Sequence, residues 1–197
     1  MNALFSWISQ NYIEVLGAVT GLIYLYFSIK QIIWLWPLGI ITSVLYIYVF
    51  YTSKFYADMS LQVYYFFVSI YGWYHWKKGS TGKELPVITA SWLFLVLSIL
   101  VSGLLTLVIG YILKNYTDSP FPYLDAFTTA GSIVATWMLA RKYLEQWIFW
   151  IIIDLVSMGM YIYKDLYPTA GLFLVYTTMA WIGYKQWKRD LIITEVS

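Results

Sequence analysis

Long apolar runs separated by short polar breaks are the dominant pattern along this chain. The hydrocarbon core of a bilayer is about 30 Å thick, so a helix needs roughly 20 apolar residues to cross it. Seven stretches meet this requirement, and each is continuous rather than alternating in polarity, which favours helices over the strands of a membrane barrel. The predicted helices lie near residues 12–30, 36–53, 56–76, 87–113, 125–141, 147–163 and 168–187.

The breaks between these runs are too short to be interdomain linkers. Segments 77–83 and 117–122 are rich in the glycine, proline, serine and lysine of turns. Such connections keep neighbouring helices adjacent and antiparallel. The sequence therefore predicts an all-α integral membrane protein with seven transmembrane helices in a single membrane domain, residues 1–197.

A shift of 111 residues places the first third of the chain on the last third without a gap. The matches include Lys30 with Arg141, Trp36 with Trp147, Tyr65 with Tyr176, Gly72 with Gly183 and Trp76 with Trp187. This pattern predicts two three-helix repeats, residues 12–78 and 123–189, joined by a linker helix at 87–116. Because four helices separate equivalent points, the repeats are expected to be parallel, a 3+1+3 arrangement of the kind found in transporters.

Composition and charge narrow the class and set an orientation. The chain is 61% hydrophobic and 11% charged, whereas soluble domains are about 25% charged. A net charge of +2 gives no basic footprint for nucleic acid. Nine of the 12 basic residues lie on one side of the predicted bundle, which places the carboxy terminus in the cytoplasm and the amino terminus outside.

Asp154 lies in the middle of the sixth predicted helix, where an ionisable group is costly and normally functional. Trp147 and Trp150 share its face at helical spacing. An indole stacks on a flat ring or a cation, and a carboxylate pairs with positive charge, so this face suits a cationic aromatic ligand. The alternative is a carboxylate that only holds helices together. The residues at the equivalent positions of the first repeat are Gly39 and Ser43. We therefore expect one half to supply the side chains that bind the ligand and the other half to leave space for it.

Hydrogen-bonding groups in the third and seventh predicted helices are further candidates. Gln62 is an amide well inside an apolar run, where it could bind substrate or join two helices. Tyr65 and Tyr176 occupy equivalent positions of the two repeats. We therefore add all three residues to the predicted substrate site with Trp150, Asp154 and Trp147.

Other notable residues indicate no catalysis. His75 has no acidic or cysteine neighbour, and the chain contains no cysteine, so no metal or cofactor site is predicted. Trp73, Trp76 and Trp187 are expected at the membrane–water interface. A nucleophile elbow, a phosphate loop and a catalytic triad are all absent from the sequence, which predicts a protein that is not an enzyme.

Several motifs carry a resemblance to a known family. They are Trp36-Pro37-Leu38-Gly39, the segment 55–65 (FYADMSLQVYY), the segment 71–76 (YGWYHW), Trp150 with Asp154, the segment 161–164 (YIYK), and Gly183-Tyr184 followed by Trp187. Together they resemble the PnuC family of bacterial vitamin transporters over residues 12–189. The three-helix repeats are also similar to those of the SWEET and SemiSWEET sugar transporters.

The resemblance implies facilitated diffusion of nicotinamide riboside across the bacterial inner membrane, with trapping by a cytoplasmic kinase. This substrate is a vitamin and an NAD precursor. Relatives that carry thiamine or other B vitamins make thiamine the alternative substrate. The resemblance also implies a homotrimer and a site built from Trp150, Asp154, Gln62, Tyr65 and Tyr176.

Three other functions compete with this interpretation. A receptor or scaffold would bind its ligand or partner without counterflow. A lipid hydrolase or transferase would alter its substrate, which a lone Asp154 disfavours. A proton-coupled transporter would use Asp154 as its proton site.

Overall fold

The computed structural model describes residues 12–52, 56–77 and 85–196. Within these ranges the regular structure is seven α-helices, which confirms the number and order predicted from the apolar runs. The helices are α1 (Tyr12–Ile29), α2 (Leu35–Thr52), α3 (Tyr56–Lys77), α4 (Trp92–Tyr116), α5 (Pro122–Ala140), α6 (Gln146–Tyr163) and α7 (Tyr167–Val196). Side chains at 12–17, 53–58 and 193–197 lie outside the described part, as does the break at 78–84.

In the part of the chain that the structure describes, three helices are long and apolar enough by themselves to cross a bilayer. They are α2, α4 and α6, and α4 has the highest mean hydropathy, 2.7. Much of the apolar surface of α4 points away from the protein, with Leu93, Leu104 and Leu107 each more than 60% exposed. A helix with so much exposed apolar surface is stable only where hydrocarbon replaces water.

Helix α4 begins at Trp92, later than the start near residue 87 that the apolar run predicts. The preceding residues are extended because they pair with the connection between α5 and α6. The Ile88 N–H donates to the Lys142 carbonyl (3.1 Å), and the Leu144 N–H donates to the Ile88 carbonyl (2.9 Å). Apolar character alone does not distinguish this bridge from a helical turn.

Within each half, helices that follow one another along the chain pack together, and two further helix pairs join the two halves. Helix α2 packs on α3, α6 packs on α7, and α4 packs on α5. Between the halves, α1 contacts α7 and α3 contacts α5. The first and third helices of each half therefore carry the contact with the other half.

Four tryptophans form a buried cluster, which we call the tryptophan cluster: Trp36, Trp76, Trp147 and Trp187. Trp36 and Trp76 meet edge to face with ring centroids 5.4 Å apart, and Trp147 and Trp187 do the same at 5.5 Å. The expectation that Trp76 and Trp187 lie at the membrane–water interface is wrong, because both are at most 6% exposed. Trp73, at 42% exposure, points outward.

The indoles of Trp76 in α3 and Trp187 in α7 each hydrogen-bond to the other half. Trp76 Nε1 donates to the Ala140 carbonyl (3.2 Å). Trp187 Nε1 donates to the Ser28 and Ile29 carbonyls (3.1 and 3.3 Å). The Ile29 and Ala140 carbonyls lie at helix carboxy termini, where a carbonyl has no helical N–H partner, whereas the Ser28 carbonyl also accepts from the Gln31 N–H (3.1 Å).

The ends of α1 and α5 share one backbone motif. Gln31 and Lys142, each two residues after its helix, both have positive φ, 55° and 56°, as does Asp165 after α6. The Ile32 N–H donates to the Phe27 carbonyl, and the Tyr143 N–H donates to the Met138 carbonyl, which closes a Schellman turn in each case. Glycine usually occupies this left-handed position, so long polar side chains there need contacts that hold them.

Gln146, at the start of α6, is an apparent weakness in the core. Its side chain is fully buried, and neither its amide nitrogen nor its amide oxygen has a hydrogen-bond partner among the described residues. Leu35 stands 111 residues earlier and is equally buried. We expect Gln146→Leu to raise the thermal stability of the protein in detergent, because an unsatisfied buried group costs about 1–3 kcal/mol.

The reverse change, Leu35→Gln, is the matched control and is expected to lower the melting temperature. A lower melting temperature for Gln146→Leu would contradict the prediction and would indicate that the amide has a partner, such as a buried water molecule.

Candidate substrate-binding site

A cavity of about 300 Å³ lies among α1, α2 and α3 and is completed by one residue each from α5 and α6. Its volume is at the lower end of the usual range for sites that hold small molecules. Its walls combine aromatic rings with neutral hydroxyl and amide groups. The lining residues are Thr20, Gly21, Tyr24, Leu38, Gly39, Thr42, Ser43, Tyr46, Gln62, Tyr65, Ser69, Thr136 and Trp150.

Three of the residues predicted from sequence line this cavity: Trp150, Gln62 and Tyr65. Trp150 reaches it from α6, whereas Gln62 and Tyr65 stand on consecutive turns of α3. The side chain of Tyr65 lies beside Ser132 of α5. Its neighbour Tyr64 donates to the Ile133 carbonyl at 2.7 Å. The Tyr64 bond ties α3 to α5 next to the position from which Tyr65 enters the wall.

Glycine at position 39 provides much of the space in the cavity. A Cβ atom there would lie 2.8 Å from the Ser69 hydroxyl oxygen and 3.6 Å from the Tyr24 ring. The residue 111 positions later is Trp150, which lines the same cavity from the other half. A glycine and a tryptophan thus occupy corresponding positions, as expected if one half supplies room and the other supplies a ring.

Asp154 and Tyr176 lie directly behind the wall rather than in it. The Tyr176 hydroxyl packs against Gly21, a lining residue, closely enough to leave no room for a side chain there. Asp154 is 6% exposed and is close enough to Tyr176 to interact with it electrostatically. Among the described residues, the Asp154 side chain makes no hydrogen bond, and burial is what sets its surroundings apart.

Trp147 lies outside this cavity, although its helix face predicts a place beside Trp150. Its ring is fully buried in the tryptophan cluster, edge-on to Trp187. Gly183 lies directly beneath it, where a Cβ atom would be 2.6 Å from the ring. Such packing leaves no space for a ligand, so we leave Trp147 out of the site that we propose.

Most lining residues were not selected as site residues in the sequence analysis, and five of them are small hydroxyl residues: Thr20, Thr42, Ser43, Ser69 and Thr136. Two spacings could have identified them. Gly39, Ser43 and Tyr46 recur along one face of α2. Ser69 lies two turns after Gln62 on the face of α3 that also carries Tyr65. Polar positions at helical spacing within apolar runs are therefore the signal for this cavity.

A second cavity, of about 780 Å³, lies among α4, α5 and α6. Its walls are apolar apart from a few groups such as Ser102, Thr106 and Glu145. It cannot satisfy the hydrogen-bonding groups of a polar metabolite, whereas the first cavity can.

The first cavity can bind but has little means to catalyse. It offers an indole face, several hydroxyls and an amide, with a carboxylate one layer behind. In the part of the chain that the structure describes, no three histidine, cysteine or acidic side chains are grouped to hold a metal ion. The arrangement is suited to reversible binding of a flat ring that carries hydroxyl groups.

Comparison with known proteins identifies relatives over nearly the whole chain. A family model described as "Nicotinamide mononucleotide transporter" matches residues 11–189. The nicotinamide riboside transporter PnuC of Escherichia coli (strain K12) is 28% identical over 206 residues, covering 90% of this chain and 85% of that protein. The riboflavin/roseoflavin transporter RibM of Streptomyces davaonensis is 24% identical over 178 residues, covering 88% and 83%.

A solved structure agrees with these relatives. The crystal structure of the vitamin B3 transporter PnuC has a TM-score of 0.74 and 26% sequence identity to this chain, with 96% of this chain and 86% of that one covered. The resemblance drawn from the sequence motifs is thereby confirmed. Since the family model spans nearly all of the protein, the chain belongs to the nicotinamide mononucleotide transporter family and is a membrane transporter, not an enzyme.

Proposed function

We propose that this transporter carries nicotinamide riboside by facilitated diffusion across the bacterial inner membrane, with cytoplasmic phosphorylation trapping the substrate. The observation that carries the proposal is Trp150, which brings a flat aromatic face into a cavity lined by neutral hydroxyl and amide groups. Nicotinamide riboside is a flat pyridinium ring joined to a ribose. The ring would stack on the indole, and the ribose would hydrogen-bond to Gln62, Tyr65 and the small hydroxyl residues.

The charge of the substrate is matched by Asp154. This carboxylate is buried next to the cavity wall, where the interior screens charge less than water does. A cation in the cavity would therefore be attracted to it, and Tyr176 would lie between the two groups. The proposed site is Trp150, Asp154, Gln62, Tyr65 and Tyr176.

For the architecture, we propose two parallel three-helix repeats, residues 12–78 and 123–189, with α4 as the linker in a 3+1+3 arrangement. Support comes from features that recur at an offset of 111 residues. The two edge-to-face tryptophan pairs have matching geometry, and Gln31 and Lys142 share the same left-handed turn. The indole bonds of Trp76 and Trp187 to the opposite half are equivalent as well.

The proposal also includes the membrane orientation of the protein, its oligomeric state and its coupling to a kinase. The excess of basic residues on one side supports an external amino terminus and a cytoplasmic carboxy terminus. We also propose that the protein forms a homotrimer and that a cytoplasmic kinase phosphorylates the substrate after uptake.

Calorimetry on the purified protein in detergent tests this function, with nicotinamide riboside, thiamine and riboflavin as parallel ligands. We expect the riboside to bind most tightly. We also expect Asp154→Asn to weaken its binding by about tenfold, since the variant removes the charge but keeps the shape. Counterflow in liposomes then distinguishes a carrier from a receptor.

Two outcomes would contradict the proposal. Tighter binding of thiamine or riboflavin would mean that the transporter carries that vitamin instead, and the proposed site would stand. The second outcome is a loss of uptake when a proton gradient is dissipated while the substrate gradient is held constant. This result would contradict facilitated diffusion and indicate proton coupling through Asp154.

A further inference from the structure

Lys142 is a charged residue in an unusual place. It follows α5 in a connection between helices, yet it is 2% exposed. Its Nζ donates to the Gln31 Oε1 (2.8 Å) and to the Leu85 carbonyl (2.7 Å). The same atom lies 4.5 Å from the centre of the Trp76 ring. A buried ammonium is tolerated only with such a full set of partners.

Gln31 extends this contact to a third segment. Its Nε2 donates to the Asp190 Oδ2 at 2.8 Å, and Gln186 donates to the other oxygen of the same carboxylate at 3.1 Å. We call Lys142, Gln31 and Asp190 the lysine clasp. It connects the end of α1 with α7 and with the connection between α5 and α6, so it joins the two halves of the chain.

The lysine clasp and the tryptophan cluster lie at the same end of the bundle, beyond the cavity. Along α3, the lining residues Gln62 and Ser69 come first and Trp76 follows two turns after Ser69. Along α2, which runs the other way, Trp36 comes before the lining residues that begin at Leu38. The cluster therefore closes this end of the cavity, and the clasp ties the two halves outside that closure.

We propose that the lysine clasp is the gate that holds this end of the transporter shut and that must break for the cavity to open there. This inference rests on the proposed carrier function, because only a carrier needs to open at both ends. The clasp suits a two-state gate. If the halves separate, Lys142 loses Gln31 and the shelter of Trp76 together, and water must replace both.

The side-chain contact of the clasp also joins two backbone turns. Gln31 and Lys142 each stand at positive φ, 55° and 56°, in a Schellman turn. The bond between their side chains therefore links the turn after α1 directly to the turn after α5.

Cysteine accessibility tests the gate, because the natural chain contains no cysteine. Ser69→Cys places a reporter in the cavity wall, and Lys188→Cys marks the side of the membrane on which the clasp lies. The rate of reaction with a membrane-impermeant maleimide is measured in intact spheroplasts and in inside-out vesicles. With Lys142→Met, we expect the Ser69→Cys reporter to react about tenfold faster from the clasp side, since hydrogen bonds to a charged group are lost.

Lys185→Met is the matched control, because Lys185 is exposed and stacks only on Trp181. It should leave the labelling rate unchanged. Gln31→Asn is a second variant that keeps an amide and tolerates positive φ but is too short to bridge Lys142 and Asp190. It should also accelerate labelling of the Ser69→Cys reporter from the clasp side. If Lys142→Met does not fold, this variant alone tests the gate.

These experiments distinguish a failure of the gate proposal from a failure of the substrate proposal. Unchanged labelling in folded Lys142→Met or Gln31→Asn protein would overturn the gate even if nicotinamide riboside binds. Faster labelling from the clasp side, in a protein that does not bind the riboside, would support the gate and overturn the substrate.

Discussion

Trp150→Ala is expected to weaken nicotinamide riboside binding by about 10- to 100-fold in calorimetry on the purified protein. The indole is the large aromatic surface that α6 brings into the cavity. Stacking of a flat ring on an aromatic side chain contributes about 1–3 kcal/mol to binding. Uptake at low substrate concentration should fall in parallel, because the carrier binds its substrate before it opens to the other side.

Two variants make this result interpretable. Trp150→Phe keeps an aromatic face and should recover part of the affinity. Trp181→Ala removes an exposed indole of α7 that lies outside the cavity, and it should bind as the natural protein does. Full affinity in a folded Trp150→Ala protein would remove Trp150 from the site and with it the main support for the proposed substrate.

Gly183→Ala is expected to lower the melting temperature by on the order of 5 °C, because overpacking a close contact costs about 1–3 kcal/mol. A Cβ at this position would lie 2.6 Å from the Trp147 ring, which is fully buried and cannot move aside. Gly72→Ala should have a similar effect, since its Cβ would lie 2.5 Å from the Trp36 ring. Thermal unfolding in detergent measures both.

Gly171→Ala is the control within the same helix. No atom lies within 4 Å of a Cβ at that position, so alanine adds helix propensity without a clash. Its melting temperature should stay the same or rise slightly. If Gly183→Ala behaved like Gly171→Ala, the close packing of Trp147 on α7 would not contribute to the stability of the fold.

The helices could be predicted from the sequence because the bilayer imposes their length. A run of apolar residues long enough to cross hydrocarbon has few other stable conformations. Two helix boundaries were exceptions. Helix α7 continues to Val196, beyond the end near residue 187 that the apolar run predicts. Helix α4 starts late, since the bridge of Ile88 to the α5–α6 connection depends on a residue pairing far along the chain. Local apolar character carries no information about such a partner.

The site was predictable only where its chemistry is unusual in an apolar helix. Trp150 and Gln62 could be selected because indoles and amides are rare inside a span. Thr42 and Thr136 could not, because each hydroxyl also bonds to a carbonyl one turn earlier in its own helix. A threonine with that bond has the same sequence signature whether it lines a cavity or faces lipid.

Tryptophans and lysines near helix ends were the hardest to interpret. Both residue types are common at membrane surfaces, so Trp76, Trp187 and Lys142 match the expected pattern of interfacial residues. Their burial follows from contacts between the two halves, which only the folded chain brings together. The proposed gate lies among these residues, where sequence patterns are least informative.

The reciprocal indole bonds also bear on how the protein is made. The carbonyl that Trp76 needs belongs to Ala140, which is synthesised 64 residues later. The first three helices are therefore synthesised before the carbonyl that this indole N–H binds in the folded protein. Assembly of this half is completed only when α5 is inserted, so the two halves depend on each other during biogenesis as well as in the finished transporter.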